Sequence, residues 1–287
     1  MNQFDQETLL SQPNPDNPHS HSTGHFSGHF TGRVHPQWNI GSNPNGGYLA
    51  ALAVTALQQA LPQHADPLSV TVHYLRPGLA GQPCEVKVDV LRTGQTLSTA
   101  RASVVQDGKA RLEMLACMGT LAQEPLAPLA QLSIPMPDIP PPAQCVGRSA
   151  GAQGVQLPIL DRLDIRLHPD EARLGATAAA GKAQVTGWLR FQDGRPPDAL
   201  ACLLFADAFP PAIFGLLGMV GWVPTLELTV QVRRRPSPGW MLGRFTCNDL
   251  NNGPGGGLLV EDGVLWDAQG HLVAQSRQLA LVRTNTG

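Results

Sequence analysis

The hydrophobic pattern of the chain runs through the same two-part series twice. A long apolar stretch from Gly46 to Leu61 has almost no polar face, and four segments of strand-like alternation with Gly-rich turns follow it. A second apolar stretch, "DALACLLFADAFPPAIFGLLG" (residues 198–218), again precedes four such segments. A helix followed by a row of strands is typical of an α+β unit, and its recurrence predicts a tandem duplication.

The two apolar stretches also predict where the helices lie. A surface helix carries one apolar stripe, whereas a helix that is apolar nearly all round is buried. A sheet curled around one buried helix is the hotdog arrangement. We therefore expect an α+β double hotdog, in which each of two tandem repeats has a long central helix wrapped by an antiparallel sheet.

Composition changes along the chain predict the domain boundaries. Residues 1–24 are rich in Asn, Pro, Ser and His and predict a flexible N-terminal tail. Residues 25–122 form the first predicted repeat and residues 158–287 the second. Between them, residues 123–157 contain too much proline for a helix or a central strand, which predicts a linker.

Overall composition narrows the function class. The chain has 42% hydrophobic and 15% charged residues, enough to bury a sizeable core, and its net charge of -2 favours neither nucleic acid nor a membrane surface as partner. Five scattered cysteines without C-x-x-C spacing indicate reduced thiols and no zinc site. No signal peptide or membrane-spanning run is evident, so we expect a soluble, cytoplasmic protein without a metal.

Asp207 is the first candidate for a reactive group. It lies within "LLFADAFPP", where desolvation raises the pKa of a carboxyl group toward the range that suits a general base. The alternative concerns the backbone, because Pro210 and Pro211 lack N–H groups and interrupt the helix. Asp207 would then lie where solvent enters the protein.

Strand parity gives different results for two further candidates. Gln278 shares a face with Ala274 and Ala280, so its carboxamide is expected to point toward the buried helix. There it would meet a reacting water, or serve only as a structural hydrogen-bond partner. Thr225 has the parity opposite to that of Leu228, so its hydroxyl is expected to point outward unless Pro224 shifts the chain.

The duplication provides an internal control for these candidates. Aligning the repeats sets Ala116 opposite Gln278 and Pro67 opposite Thr225, and the first helix has no acidic residue. Polar groups have therefore collected in the second half only. This asymmetry predicts one reactive site per chain.

The start of the first helix, "NPNGGYLAALA", suggests a role in substrate binding. A helix N-terminus presents free N–H groups with partial positive charge, and Gly46 and Gly47 allow an oxygen to approach the backbone closely. We expect Gly46, Gly47 and Tyr48 to bind the substrate, with the Gly47 amide stabilising an oxyanion. The alternative is an ordinary helix start capped by Asn43 or Asn45.

Six motifs in order across both halves carry a resemblance to a known family. These motifs are "NGGYLAAL", "VHYLRPG", "VLRTGQTLSTARASVVQDGK", "FADAFPP", "PTLELTV" and "LVAQSRQLALVR". Together they resemble the double-hotdog acyl-CoA thioesterases of the thioesterase II type. The resemblance extends from about Thr31 to Arg283, without the linker. The resemblance implies hydrolysis of acyl-CoA to a free fatty acid and CoA without a cofactor, within fatty acid metabolism. It also implies that Asp207, Thr225 and Gln278 orient the attacking water.

The chain departs from the family pattern at two places. Leu226-Glu227-Leu228 stands where the archetype has an Asp-His pair, and Tyr48 follows the two glycines where the archetype has Gln. These departures leave the chain-length preference open.

Binding partners and competing functions complete the expectations. Arg76, Arg233 and Arg234 are candidates for contacts with CoA phosphates, although such a charge run also suits a solvated strand end. The resemblance implies a homo-oligomer, a dimer or larger, formed through sheet faces. A non-catalytic acyl-CoA-binding protein is the main alternative function. An enoyl-CoA hydratase-type lyase is disfavoured, because residues 198–218 contain no His.

Overall fold

The structure, a computed structural model, describes residues 1–12, 26–121, 132–150, 155–172, 181–219, 221–253 and 256–283. Its helices are α1 (Gln3–Glu7), α2 (Gly46–Ala60), α3 (Ala201–Phe205) and α4 (Phe214–Leu217). The strands of the first half are β1 (Phe26–Arg33), β2 (Asn39–Ile40), β3 (Asn43–Pro44), β4 (Asp66–Tyr74), β5 (Pro83–Thr93), β6 (Leu97–Gln106) and β7 (Lys109–Gly119). Those of the second half are β8 (Val146–Gly147), β9 (Leu163–Leu167), β10 (Gln184–Phe191), β11 (Thr225–Val232), β12 (Met241–Gly253), β13 (Gly256–Trp266) and β14 (Leu272–Val282).

Within the described residues, twelve strands form one sheet in the order β1-β5-β6-β7-β4-β11-β14-β13-β12-β10-β9-β8. Each half contributes one continuous side, and the two sides join where β4 pairs with β11 in antiparallel register. Thr71 lies directly opposite Thr229 at this junction, and their hydroxyl groups are 3.0 Å apart. This pair marks the centre of an internal two-fold relation between the repeats.

Helix α2 packs against β4, β5, β6 and β7 and is largely buried, as its apolar composition predicts. Ten of its residues are buried, and Asn45 caps it by accepting a hydrogen bond from the Tyr48 N–H at 2.9 Å. The second repeat differs, because residues 198–218 form two short helices instead of one long helix. Pro210 and Pro211 separate α3 from α4, since neither can donate the backbone hydrogen bond that a continuous helix requires. The predicted α+β double hotdog is confirmed.

The N-terminal segment differs from the predicted flexible tail. Residues 3–7 form α1, and Phe4 is fully buried against Trp38 and Phe191. The Glu7 carboxylate receives two hydrogen bonds from Arg162 of the second repeat, at 2.6 and 2.9 Å, and one from the Trp38 indole of the first repeat at 2.8 Å. The segment thus connects the two repeats. Residues 13–24 of the predicted tail lie outside the described residues.

Part of the predicted linker is bound to the second repeat. The Trp266 indole donates to the Ile134 carbonyl at 2.8 Å, and the Trp188 indole donates to the Pro140 carbonyl at 2.9 Å. Proline-rich backbone has few donors of its own, so its carbonyl groups are free to accept hydrogen bonds from these indoles. Part of the described linker is therefore tied to strands β10 and β13 of the second repeat.

The longest helix among the described residues, α2, has 15 residues. No helix in the described parts of the chain combines the length and the hydropathy that crossing a lipid bilayer requires.

The packed N-terminal segment makes a stability prediction. Replacing Phe4 with Ala leaves a cavity between the repeats, so we expect the free energy of unfolding to fall by about 3 kcal/mol. Urea denaturation followed by tryptophan fluorescence measures this change. Leu9→Ala is the control, because Leu9 lies in the same segment with its side chain 58% exposed. If Phe4→Ala lowered the free energy of unfolding as little as Leu9→Ala does, the segment would contribute little to stability.

Candidate active site

A cavity of about 710 Å³ opens where the two repeats meet. The first repeat contributes Asn45, Gly46 and Tyr74 to its wall, from the start of α2 and the end of β4. The second repeat contributes Asp207, which follows α3, together with Thr225 of β11, Glu261 of β13 and Gln278 of β14. All three predicted catalytic residues therefore border one space.

Asp207 follows α3 and faces the N-terminus of α2. Its Oδ2 atom accepts hydrogen bonds from the Gly47 N–H and from the Asn45 side-chain amide, both at 2.9 Å. The same amide donates to the Asp207 carbonyl at 2.7 Å. Burial raises the pKa of Asp207 to about 6, against the opposing effects of these donors and of the Arg148 charge. A carboxyl group with this pKa is mostly ionised at pH 7 and accepts a proton readily.

Gly47 serves a different purpose from the predicted one. The Gly47 N–H is not free for a substrate oxyanion, because Asp207 already accepts it. A Cβ atom on Gly47 would lie 2.5 Å from the Leu203 carbonyl oxygen, so glycine here allows α2 and α3 to pack closely. Gly46 does border the cavity. Asn45 as helix cap, the alternative interpretation, is confirmed.

Tyr48 was expected to bind substrate, and the structure contradicts this. Its side chain is fully buried and its ring stacks on Trp38 at 5.4 Å between centroids. Its hydroxyl donates to the Glu7 carbonyl at 2.6 Å and accepts from the His35 N–H at 3.1 Å. The first position after the two glycines points into the core of the first repeat, away from the cavity.

Thr225 points inward, contrary to the expectation from parity. The register of β11 against β14 shifts between Thr225 and Glu227, and this bulge turns Thr225 to the face of Gln278. The Thr225 hydroxyl donates to Gln278 Oε1 at 2.8 Å. Parity arguments assume an unbroken strand, so a bulge near Pro224 reverses the result. The inward orientation predicted for Gln278 is confirmed.

Glu261 is a site residue that the sequence analysis missed. Its Oε1 accepts a hydrogen bond from Gln278 Nε2 and its Oε2 accepts one from the Ala212 N–H, both at 2.6 Å. Burial raises the pKa of Glu261 to about 7, and the nearby Asp207 charge adds to this increase. Its alternation with Leu259 and Leu265, both buried, is a sequence signal that would have placed it on the inner face.

Comparisons with known proteins agree with this architecture. A family model for the acyl-CoA thioesterase N-terminal domain matches residues 34–122, and the model for the C-terminal domain matches residues 137–282. The chain belongs to the acyl-CoA thioesterase family. Membership makes the protein a hydrolase that acts on thioesters.

Relatives of this thioesterase support the fold along its whole length. A structure from Thermobifida fusca, provisionally assigned as a thioesterase II, is 31% identical, covers 98% of each chain and has a TM-score of 0.78. A hotdog-fold protein of unknown function from Alicyclobacillus acidocaldarius is 23% identical over the full length of both chains, with a TM-score of 0.79. An uncharacterized protein of Mycobacterium tuberculosis is 26% identical over 273 residues, 88% of this chain and 90% of its own.

The strand pairing of the thioesterase shows which positions of the two repeats correspond, and the residues at those positions differ. Ala116 pairs with Val70 as Gln278 pairs with Leu228, and Ala116 lies opposite Ala100 as Gln278 lies opposite Glu261. The first repeat thus has alanines where the second has its amide and carboxylate.

The bulge beside Thr225 is likewise present in both repeats of the thioesterase. In the first repeat, the register of β4 against β7 shifts between Pro67 and Ser69, the positions equivalent to Thr225 and Glu227. The bulge is therefore a property of the fold, and the hydroxyl at that bulge belongs to the second repeat alone.

The arginines proposed for CoA binding lie in different places. Arg76 borders the cavity and donates to the Ala110 carbonyl at 3.0 Å. Arg233 and Arg234 are not among the cavity-lining residues. Arg148 and Arg283, which the sequence analysis did not select, do line it. No cluster of three His, Cys, Asp or Glu side chains within the described ranges is arranged to hold a metal ion.

The raised pKa of Asp207 predicts a pH-dependent stability. The carboxyl group keeps its proton more strongly in the folded state, so it favours folding at low pH and loses this contribution as the pH rises through about 6. Between pH 5 and pH 8, we expect wild type to lose about 1.4 kcal/mol of unfolding free energy relative to Asp207→Asn. Urea titrations at several pH values measure this difference, and parallel curves for the two proteins would contradict it.

Proposed function

We propose that the protein hydrolyses acyl-CoA to a free fatty acid and CoA by direct attack of a water molecule on the thioester carbonyl. The observation that carries this proposal is the arrangement of the second-repeat residues in one cavity. A carboxylate with a pKa of about 6 and the Thr225–Gln278–Glu261 hydrogen-bond chain border the same cavity.

The hydrogen-bond chain fixes the orientation of the Gln278 carboxamide. Gln278 Nε2 donates to the Glu261 side chain, and Gln278 Oε1 accepts from the Thr225 hydroxyl, so both ends of the carboxamide are held. The second N–H of Gln278 then remains as a donor toward the cavity. A water held there would accept a hydrogen bond from Gln278 and donate one to Asp207. These two hydrogen bonds would leave a lone pair of the water oxygen directed toward a bound thioester carbonyl.

The same groups account for the proton in each step. Asp207 takes a proton from the water as its oxygen forms a bond to the carbonyl carbon. Collapse of the tetrahedral intermediate breaks the bond from carbon to sulfur, and the proton on Asp207 passes to the departing CoA sulfur. Asp207 ends the cycle as a carboxylate, so neither a metal nor a cofactor is needed for balance.

The cavity walls suit the two ends of an acyl-CoA. The apolar part of the wall, which would receive the acyl chain, includes Leu49, Phe209, Phe214, Phe245 and Leu281. Arg76, exposed at the cavity border, would contact the CoA phosphates. The phosphate role of Arg233 and Arg234 stays a prediction.

The assembly and location of the enzyme are also proposals. We propose that copies of the chain associate through their sheet faces as a dimer or a larger homo-oligomer. Two leucines on the first-repeat strands, Leu91 and Leu115, are 41% and 52% exposed, which supports an apolar contribution to such a contact. Action in the cytoplasm on fatty acyl thioesters agrees with the scattered free cysteines.

The base assignment predicts the activity of one variant and its pH profile. Asp207→Asn should lower kcat by a factor of about 10² to 10⁴, because amide nitrogen and oxygen cannot accept the proton of the water. Release of CoA from a panel of acyl-CoAs, trapped with a thiol reagent, measures the rate. For wild type, kcat/KM should rise with pH through about 6, where Asp207 ionises.

Asp249→Asn provides the matched control, because Asp249 is exposed on β12. It should hydrolyse acyl-CoA at the wild-type rate. If wild type releases no CoA from any acyl-CoA, acyl-CoA hydrolysis is wrong. If Asp207→Asn keeps the wild-type rate, hydrolysis stands and the base assignment fails.

The newly found Glu261 makes a separate prediction. In Glu261→Gln, the side chain cannot accept from both Gln278 Nε2 and the Ala212 N–H, so the Gln278 amide loses its fixed orientation. We expect kcat to fall about tenfold or more, a loss typical of one charged hydrogen bond. The control is Asp262→Asn, the adjacent position on the opposite face of β13, which pairs with Arg277. Equal rates for the two variants would remove Glu261 from the mechanism.

A further inference from the structure

The hydroxyl of Tyr74 is a buried polar group with no partner in the described part of the chain. Tyr74 is the last residue of β4 and lines the cavity. Its Oη atom is shielded from solvent and makes no hydrogen bond to any described residue. Leaving such a group unsatisfied costs about 1 to 3 kcal/mol. A protein that retains this cost at the edge of its active site has a donor available for a ligand.

The hydroxyl lies beside the proposed base. A Cβ atom built on Gly46 would be 2.9 Å from the Tyr74 hydroxyl and 3.0 Å from Asp207 Oδ2, so both oxygens border the space that Gly46 leaves open. The two groups come from different repeats, and the carboxylate oxygen is already satisfied by Asn45 and Gly47. The tyrosine hydroxyl is therefore not required to hold Asp207 in place.

The hydroxyl also has the right protonation state to act as a donor. Burial, together with the nearby charges of Asp207 and Glu227, raises the pKa of Tyr74 well above its ordinary value. The phenol therefore stays protonated over the pH range in which Asp207 is ionised. It can donate a hydrogen bond, and it will not compete with Asp207 for the proton of the water.

The site needs such a donor because the expected one is occupied. Attack of water converts the thioester carbonyl oxygen into an oxyanion, and a donor aimed at that oxygen lowers the barrier. The Gly47 amide, which the sequence suggested for this role, donates to Asp207 instead.

We propose that the Tyr74 hydroxyl donates a hydrogen bond to the thioester carbonyl oxygen and stabilises the oxyanion that forms when water attacks. No proton is transferred in this contact, and the hydrogen bond shortens as charge develops on the oxygen. The inference rests on the proposed hydrolysis of acyl-CoA. It assigns a catalytic group to the first repeat, so each repeat supplies part of the reaction.

The chain contains two tyrosines, and they form a matched pair for the test. In Tyr74→Phe, we expect kcat for acyl-CoA hydrolysis to fall about 10²-fold with little change in KM, as for loss of one oxyanion donor. Its Tm should stay equal to that of wild type or rise, because an unsatisfied hydroxyl is removed from a buried place.

Tyr48→Phe should show the reverse behaviour. Its hydroxyl makes two hydrogen bonds in the core, so this variant should have a lower Tm and should retain kcat at temperatures well below unfolding. CoA release gives kcat and KM, and thermal unfolding gives Tm for both variants.

Each remaining outcome overturns a specific statement. A wild-type rate in Tyr74→Phe overturns the inference and leaves acyl-CoA hydrolysis intact. A parallel loss of kcat and Tm in Tyr74→Phe shows a structural role and also overturns it. A rise in KM with unchanged kcat shows ground-state binding only, against the inference. Absence of CoA release by wild type overturns the proposed function and the inference together.

Discussion

The hydrogen bonds between the Asp207 carboxylate and the N-terminus of α2 are the constraint on which the rest of the site depends. They join a residue of the second repeat to the first turn of the helix in the first repeat. The partial positive charge at a helix start offsets part of the free-energy cost of burying a carboxylate. The interaction therefore holds the two repeats together and allows Asp207 to ionise. A side chain at position 47 would clash with the Leu203 carbonyl oxygen of α3, so glycine is needed there for α3 to bring the carboxylate close to α2.

A second buried carboxyl group, that of Glu261, lies on strand β13 of the sheet. Asp207 and Glu261 border the same cavity, and each group has its pKa raised chiefly by burial, to about 6 and about 7. Like charges oppose each other's ionisation, so the two groups titrate as a coupled pair. Asp207 is the more acidic member and is the proposed base, whereas Glu261 accepts from the Ala212 N–H and orients Gln278.

Sequence patterns predicted what depends on local periodicity, and failed where distant parts of the chain meet. The apolar character of α2, the tandem repeats and the inward face of Gln278 all follow from neighbours along the sequence. The partner of the Gly47 amide could not be predicted, because Asp207 lies 160 residues further along the chain. Tyr48 was misplaced for a similar reason, since its hydroxyl partner Glu7 belongs to a segment whose composition suggested disorder. Thr225 was misplaced by a bulge, which changes parity without leaving a signal in the hydrophobic pattern.

The shared bulge has a consequence for how the two halves diverged. Because both copies keep the same backbone irregularity at equivalent positions, Pro67 and Thr225, the backbone there predates the specialisation of either half. On these strands, the two copies then differ by side chains on a shared backbone, with Ala100 and Ala116 in the first repeat where the second has Glu261 and Gln278. The first repeat therefore presents, at Ala100 and Ala116, strand positions equivalent to those that hold Glu261 and Gln278 in the second repeat.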